Sequence, residues 1–360
     1  MALVDTKLAN GLSHTPVPTT VEALTQIWQR VLQLPSIGAD DNFFSLGGSL
    51  RLADVLFAEI EQVCRRELPS ATICHAPTIA SLASLLEQPV LPRFSPFVQV
   101  KAGSDWPPIL IAHGLGGLAN FSKLATHIRT GNPIYGIQAR GVDGLEEPFD
   151  RIEDMAQFYL DALPNLQSQG PYLLVGYSFG GLVALEMAQR LSKTGESIGL
   201  LAMVDSYPDP RHLPMGQRIR LIAQRAGRHF SEIGHKPIPE IIANAVPGLK
   251  RRLHIPGSSG AGNRPASTPR LSFKETTEYV QRKDYLALAR YQPKAYSGKI
   301  KFVKGVNDTY FPGDPAAVWA GLAPDFEVEN VPGSHQNMVT THFENLAAVL
   351  TRYVNEALGL

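Results

Sequence analysis

The stretch 171–184 constrains the fold more than any other part of this chain. A short apolar run, 172–175, breaks into Gly176-Tyr177-Ser178-Phe179-Gly180, and apolar residues then recur at helical spacing. This succession of strand, G-x-S-x-G and helix is the context of a nucleophile elbow, in which the serine sits on a sharp turn and glycines avoid collisions two positions to either side. The pattern predicts Ser178 to be a nucleophile rather than an ordinary turn serine.

Composition describes a globular chain with room for two domains. The 360 residues are 44% apolar and 18% charged, and the formal net charge of zero gives no bias toward nucleic acid or a membrane surface. The sequence has no run of eighteen apolar residues, so no membrane span is predicted. It also has no apolar region near the N-terminus, so no secretion signal is predicted. With only two cysteines, Cys64 and Cys74, no disulfide framework is expected, which favours a cytoplasmic location.

The N-terminal quarter of the chain is predicted to be a small helical unit. Residues 1–18 are polar and are expected to be a flexible lead-in. In 19–90, apolar residues recur at helical spacing in three segments, which predicts an all-α bundle. The proline-containing segment 91–106 is expected to be a linker.

The remainder, 107–358, alternates short apolar runs with helical patterns, which predicts an α/β domain with a mostly parallel sheet. The candidate strands are 109–112, 134–138, 172–175, 200–204, 299–303 and 326–331. The alternation stops in 207–292, which we interpret as a lid insertion. Its predicted elements are helices at 216–232, 239–245 and 274–290 and a mobile Gly/Ser/Pro-rich stretch at 254–271.

The candidate catalytic base is a histidine near the C-terminus. A serine hydroxyl is a poor nucleophile unless a base takes its proton, and an acid must orient that base. His335 lies after the last predicted strand and before a predicted C-terminal helix, 344–357, where the chain order Ser, Asp or Glu, His requires the base. The less well placed histidines are His113, His127 and His342.

Two aspartates compete for the role of the acid. Asp205 directly follows the predicted strand 200–204, and Asp308 follows the next strand, 299–303. Because the carboxyl ends of parallel strands meet at one edge of a sheet, either side chain could reach the same histidine. Sequence spacing leaves both candidates open.

A glycine-rich turn, His113-Gly114-Leu115-Gly116-Gly117, follows the first predicted strand of the α/β domain. Such a loop lets the main chain approach a substrate carbonyl closely and lend it an N–H group. We predict the oxyanion donors to be the amides of Leu115 and Phe179. The alternative is a tight strand-to-helix turn without a catalytic role.

A second motif, Asp40-Asp41-Asn42-Phe43-Phe44-Ser45-Leu46-Gly47-Gly48-Ser49-Leu50, precedes the second predicted helix. It resembles the phosphopantetheine attachment site of peptidyl and acyl carrier domains, D-x-F-F-x-L-G-G-x-S-L. The resemblance implies that Ser49 carries a covalent 4′-phosphopantetheine arm. One residue is missing between the second glycine and the serine. A serine at this position is otherwise a helix N-cap.

Together the two motifs resemble the terminal carrier–thioesterase unit of nonribosomal peptide synthetases and related assembly lines, over residues 19–355. The resemblance implies a small all-α carrier bundle followed by a domain of the α/β-hydrolase superfamily with a helical lid. In type I thioesterases of that family the acid follows the strand after the nucleophile helix, which favours Asp205 over Asp308. The catalytic set it implies is therefore Ser178, Asp205 and His335.

The implied activity is release of a carrier-bound acyl or peptidyl thioester through an acyl–Ser178 intermediate, by hydrolysis or by intramolecular cyclisation. The implied partners are a phosphopantetheinyl transferase and upstream adenylation or condensation domains, and no metal site is expected. A carboxylesterase with a non-catalytic helical interaction module is the alternative that the sequence leaves open. An inactive docking scaffold is less consistent with a complete Ser–Asp–His set.

Overall fold

The computed structural model describes residues 19–74, 76–88, 94–115, 121–213, 215–220, 272–307, 311–312 and 314–360. The chain divides into two compact units, Met1–Pro92 and Arg93–Leu360. Among the described residues, no helix is both long enough and apolar enough to cross a membrane.

The first unit is helical, as its sequence pattern predicts. Its described α-helices are α1 (Thr20–Leu32), α2 (Leu50–Cys64) and α3 (Ile79–Leu86), with a 3₁₀-helix at Ser70–Cys74. Hydroxyl side chains accept N–H bonds at the start of each α-helix, and the residues that supply them are Thr19, Ser49 and Thr78. Trp28 and Phe43 meet edge to face in its core, with ring centroids 5.3 Å apart.

The second unit is built on a seven-stranded sheet with the order β1-β3-β2-β4-β5-β6-β7. The strands are β1 (Phe97–Lys101), β2 (Ile109–Ala112), β3 (Ile134–Ile137), β4 (Tyr172–Tyr177), β5 (Ile198–Val204), β6 (Ile300–Gly305) and β7 (Phe326–Val331). All neighbouring pairs are parallel except β1 and β3, which are antiparallel. The six strands predicted from the sequence are therefore confirmed, and the mostly parallel sheet with them.

Strand β1 lies inside the segment 91–106, where a linker was expected. It forms the edge of the sheet and buries one side chain deeply, Val98. Its five residues give too short an alternation to outweigh the flanking prolines in a sequence reading.

Helices cover both faces of the sheet, and each face has its own apolar core. The described α-helices of this unit are α4 (Phe121–His127), α5 (Ile152–Ala162), α6 (Phe179–Lys193), α7 (Phe273–Arg290), α8 (Pro315–Trp319), α9 (Asn337–Thr340) and α10 (Phe343–Leu358). One core includes Tyr159, Leu182 and Phe302, and the other includes Ile111, Val175 and Leu346. Burial on both faces explains why the central strands read as continuous apolar runs.

The insertion 207–292 is described only in part. The helix predicted at 274–290 is present as α7, and residues 215–220 are helical within the segment predicted at 216–232. The predicted helix 239–245 and the glycine-rich stretch 254–271 lie outside the described residues. Helix α7 is joined to the loop after β3 by ion pairs from Lys283 to Glu147 (2.7 Å) and from Arg290 to Asp150 (2.7 Å).

Candidate active site

Ser178 occupies a strained turn between β4 and α6. Its φ is 55° and its ψ is −120°, which is unusual for a residue with a side chain, and its N–H donates to the carbonyl of Val204 at 2.8 Å. A Cβ on Gly180 would collide with the backbone carbonyls of Ala112 and His113, so this position requires glycine. The structure thus has the strand, tight turn and helix that the sequence predicts, with Ser178 half-buried at the apex.

The candidate acid and base follow β5 and β7, which are separated in the sheet by β6. Asp205, the first residue after β5, has its Oδ2 3.4 Å from Nδ1 of His335, in the loop between β7 and α9. The Asp205 side chain is fully buried, and its Oδ1 accepts the N–H of Gly305 at 3.4 Å. The imidazole of His335 is 20% exposed, so it is open to a substrate while its partner is shielded from water. Asp308, the competing candidate, lies outside the described residues.

The register of the sheet brings Ser178 and Asp205 to the same edge, the carboxyl ends of the parallel strands. Tyr177, the last residue of β4, pairs with Val204, and Val204 pairs with Val303 on β6. Ser178 and Asp205 directly follow the first pair, so both leave the sheet at the same level. The carboxyl edge of a parallel sheet is where such folds place their ligands.

The predicted oxyanion donors flank the same edge. Phe179 is the first residue of α6, and Leu115 lies two residues after His113, at the end of β2. His113 is buried, and its Nδ1 donates to the carbonyl of Gly114 at 2.8 Å. Burial lowers the pKa of His113. Residues 116–120 of this turn lie outside the described residues.

Sequence reasoning missed the aromatic side chains around His335. The ring of Tyr177 stacks on the imidazole, with centroids 4.8 Å apart, and the ring of Phe311 lies 4.7 Å away. Tyr177 occupies a variable position of G-x-S-x-G, and no spacing rule relates it to a loop that begins after residue 331.

Ser49 is exposed at the N-cap of α2 in the first unit, and its Oγ accepts the N–H of Leu52 at 3.3 Å. The shortened loop before it is anchored by the buried ring of Phe43. Gly48 packs against that ring so closely that a Cβ there would collide with it. A free path to solvent and a helix N-terminus, which favours a negative phosphate, suit Ser49 for a phosphopantetheine attachment. Ser49 is therefore exposed at the surface although the motif is one residue short.

Each of the two units matches the model of a known protein family. The family model of the thioesterase domain matches residues 107–353, and that of the phosphopantetheine attachment site matches residues 22–86.

This chain spans only a small part of the synthetases that it resembles. It is 36% identical over 294 residues to a dimodular nonribosomal peptide synthase of Bacillus subtilis (strain 168), which covers 79% of this chain and 12% of that protein. It is 34% identical over 203 residues to the indigoidine synthase of Streptomyces lavendulae, which covers 56% of this chain and 16% of that protein.

A solved structure of a four-domain nonribosomal peptide synthetase bound to AMP and glycine matches with a TM-score of 0.56 and 20% identity, covering 100% of this chain and 27% of that one. At this identity the likeness shows the fold alone. The family matches carry the assignment: the chain belongs to the thioesterase domain family, with a phosphopantetheine attachment domain preceding the thioesterase domain in sequence.

Proposed function

We propose that this chain is a carrier–thioesterase unit that releases an acyl or peptidyl chain from phosphopantetheine on its own Ser49. The observation that carries the proposal is the contact of Asp205 with His335 at the sheet edge where Ser178 turns. In this proposal residues 19–90 form the carrier domain, 91–106 include the linker and 107–358 form an α/β-hydrolase-type domain with a lid at 207–292.

The first half-reaction acylates Ser178. When bound, phosphopantetheine supplies the thiol that holds the acyl group as a thioester. Ser178 Oγ attacks the thioester carbonyl and passes its proton to Nε2 of His335, while Asp205 accepts the Nδ1–H and holds the imidazole tautomer. The amides of Leu115 and Phe179 stabilise the oxyanion. His335 then protonates the departing sulfur as the C–S bond breaks, which leaves an acyl ester on Ser178.

The second half-reaction frees the product. His335 takes a proton from the attacking nucleophile, which adds to the ester carbonyl, and returns it to Ser178 Oγ as the C–O bond breaks. Water as nucleophile gives a free acid, whereas a hydroxyl or amine within the acyl chain gives a ring. The same three residues serve both outcomes, so exclusion of water by the lid decides between them.

The proposed arm requires partners outside this chain. A phosphopantetheinyl transferase must prime Ser49, and upstream adenylation or condensation domains must supply the acyl group. We propose a cytoplasmic location, which these partners and the two free thiols, Cys64 and Cys74, favour.

Priming is testable by intact-protein mass spectrometry after incubation with coenzyme A and a phosphopantetheinyl transferase. We expect the wild-type chain to gain the mass of one phosphopantetheine group and Ser49→Ala to gain none. Ser45→Ala is the matched control, because Ser45 is an exposed serine of the same loop. No mass gain in the wild-type chain, or an undiminished gain in Ser49→Ala, would favour a carboxylesterase with a non-catalytic helical module.

A further inference from the structure

His335 is enclosed by more than its acid partner. We propose that Tyr177 is a positioning residue of the active site, whose ring sets the plane of the His335 imidazole and whose hydroxyl fixes its main chain. The inference deepens the proposed function, since it rests on His335 serving as the base for Ser178.

The ring of Tyr177 restrains the imidazole. The two rings are nearly parallel, with an interplanar angle of 19° and centroids 4.8 Å apart. Phe311 confines the imidazole further, at 4.7 Å and an angle of 53°. Asp205 holds the Nδ1 edge. With its plane set by the stacked ring and one edge bonded, the imidazole is restricted in rotation about its Cβ–Cγ bond.

The hydroxyl of Tyr177 restrains the backbone of the same residue. It donates to the carbonyl oxygen of His335 at 2.6 Å, a short hydrogen bond that joins the end of β4 to the loop after β7. One side chain therefore fixes both the main chain and the side chain of His335.

The position of Tyr177 relative to the proposed nucleophile, Ser178, is fixed by the backbone and by its own ring contacts. It is the residue directly before Ser178 and is paired in the sheet with Val204. Its ring meets Phe121 edge to face at 5.8 Å and lies so close to Gly114 that a Cβ there would be 2.8 Å from it. Tyr177 thus belongs to the turn that carries Ser178 and contacts both the loop that carries His335 and the turn after β2.

Two consequences for catalysis follow from this geometry. A small loss of orientation between base and nucleophile costs rate without weakening ground-state binding. In addition, the face of an aromatic ring attracts a cation, so the stacked ring favours the imidazolium that forms when His335 takes the Ser178 proton. Loss of the hydroxyl removes part of the first effect, and loss of the ring removes both.

The test is the reaction of the full chain with a fluorophosphonate probe. Ser178 Oγ bonds to phosphorus, fluoride leaves, and His335 takes the proton. We expect the maximal inactivation rate to fall about tenfold in Tyr177→Phe and about 100-fold in Tyr177→Leu, with the half-saturating probe concentration unchanged.

Tyr353→Phe and Tyr353→Leu are matched controls, because Tyr353 is a buried tyrosine on α10 whose hydroxyl donates to Glu329 at 3.0 Å. These variants should react at the wild-type rate. A wild-type maximal rate in Tyr177→Phe would overturn the proposal, and this variant decides the matter if Tyr177→Leu does not fold. Losses confined to the half-saturating concentration, or equal losses in the Tyr353 variants, would also overturn it. Failure of the proposed function gives a different result: no labelling of the wild-type chain, or undiminished labelling of Ser178→Ala.

Discussion

Asp205 has a φ of 45°, in the left-handed region that residues with a side chain seldom adopt. Its backbone N–H donates to the carbonyl of Val303 at 2.8 Å, and its carboxylate accepts the N–H of Gly305. The bonds to β6 hold the main chain in this conformation, which directs the buried carboxylate at His335. Backbone strain at both Ser178 and Asp205 is typical of a site where geometry is set for chemistry.

Replacing the acid should therefore affect turnover sharply. We expect Asp205→Asn to lower the rate of thioester turnover by about 10⁴-fold, because the amide cannot hold the productive imidazole tautomer. Asp308→Asn should have a far smaller effect. Turnover of a soluble acyl-pantetheine thioester by each purified variant measures the ranking, and the reverse order would move the acid to the loop after β6.

At this scale the sequence predicts some site residues better than others. Ser178 and His335 follow from local motif and chain order, since each is defined by the elements beside it. Asp205 could not be separated from Asp308 by spacing, because both follow strands that end at one edge of the sheet. The role of Tyr177 depends on a rotamer and a contact between distant segments, neither of which leaves a periodic signal.

Among the elements, α7 carries an ionisable group on its buried face. The buried residues of this helix are Phe273, Thr276, Val280, Asp284 and Ala287. Asp284 is 1% exposed, and its Oδ2 has no hydrogen-bond partner among the described residues. Burial raises the pKa of Asp284 to about 8. It lies near Tyr159 of α5, whose own pKa is raised by burial and by the charge of Asp284.

This carboxyl should make stability depend on pH. From about pH 4 to about 8 the folded chain keeps a proton that the unfolded chain has released, so the free energy of unfolding falls with rising pH and levels off above that window. Asp284→Asn stays neutral, so we expect a higher Tm than wild type at pH 8 and a much smaller difference at pH 4. Glu278→Gln, an exposed position on the same helix, should show no such trend. A Tm difference independent of pH would contradict the assignment.

Most elements of the α/β domain could be predicted because buried parallel strands are continuous apolar runs. Helix α7 begins one residue before its predicted start, and in the structure a capping box of Ser272 and Glu275 defines that end. Strand β1 could not be, since its place in the sheet depends on antiparallel pairing with β3 rather than on its own pattern.

At the scale of the whole molecule, the proposed carrier serine and the proposed catalytic serine belong to one chain. A substrate attached to Ser49 belongs to the same chain as Ser178, so its encounter with the active site is intramolecular and its effective concentration is set by the connecting segment. The chain spans 12% of the length of the dimodular synthase that it resembles. In the proposed function, adenylation or condensation domains supply the acyl group. In the proposed function, Ser49 receives the acyl group from those domains, and Ser178 and His335 release it.

The central claim is that Ser178 releases the chain carried on Ser49. The measurement is a time course of intact mass after a phosphopantetheinyl transferase loads an acyl-phosphopantetheine group onto the full chain from acyl-coenzyme A. We predict that the wild-type chain loses the acyl mass and keeps the phosphopantetheine, whereas Ser178→Ala loads equally well and retains the acyl group several orders of magnitude longer. Loss of the acyl group from Ser178→Ala at the wild-type rate would contradict the account.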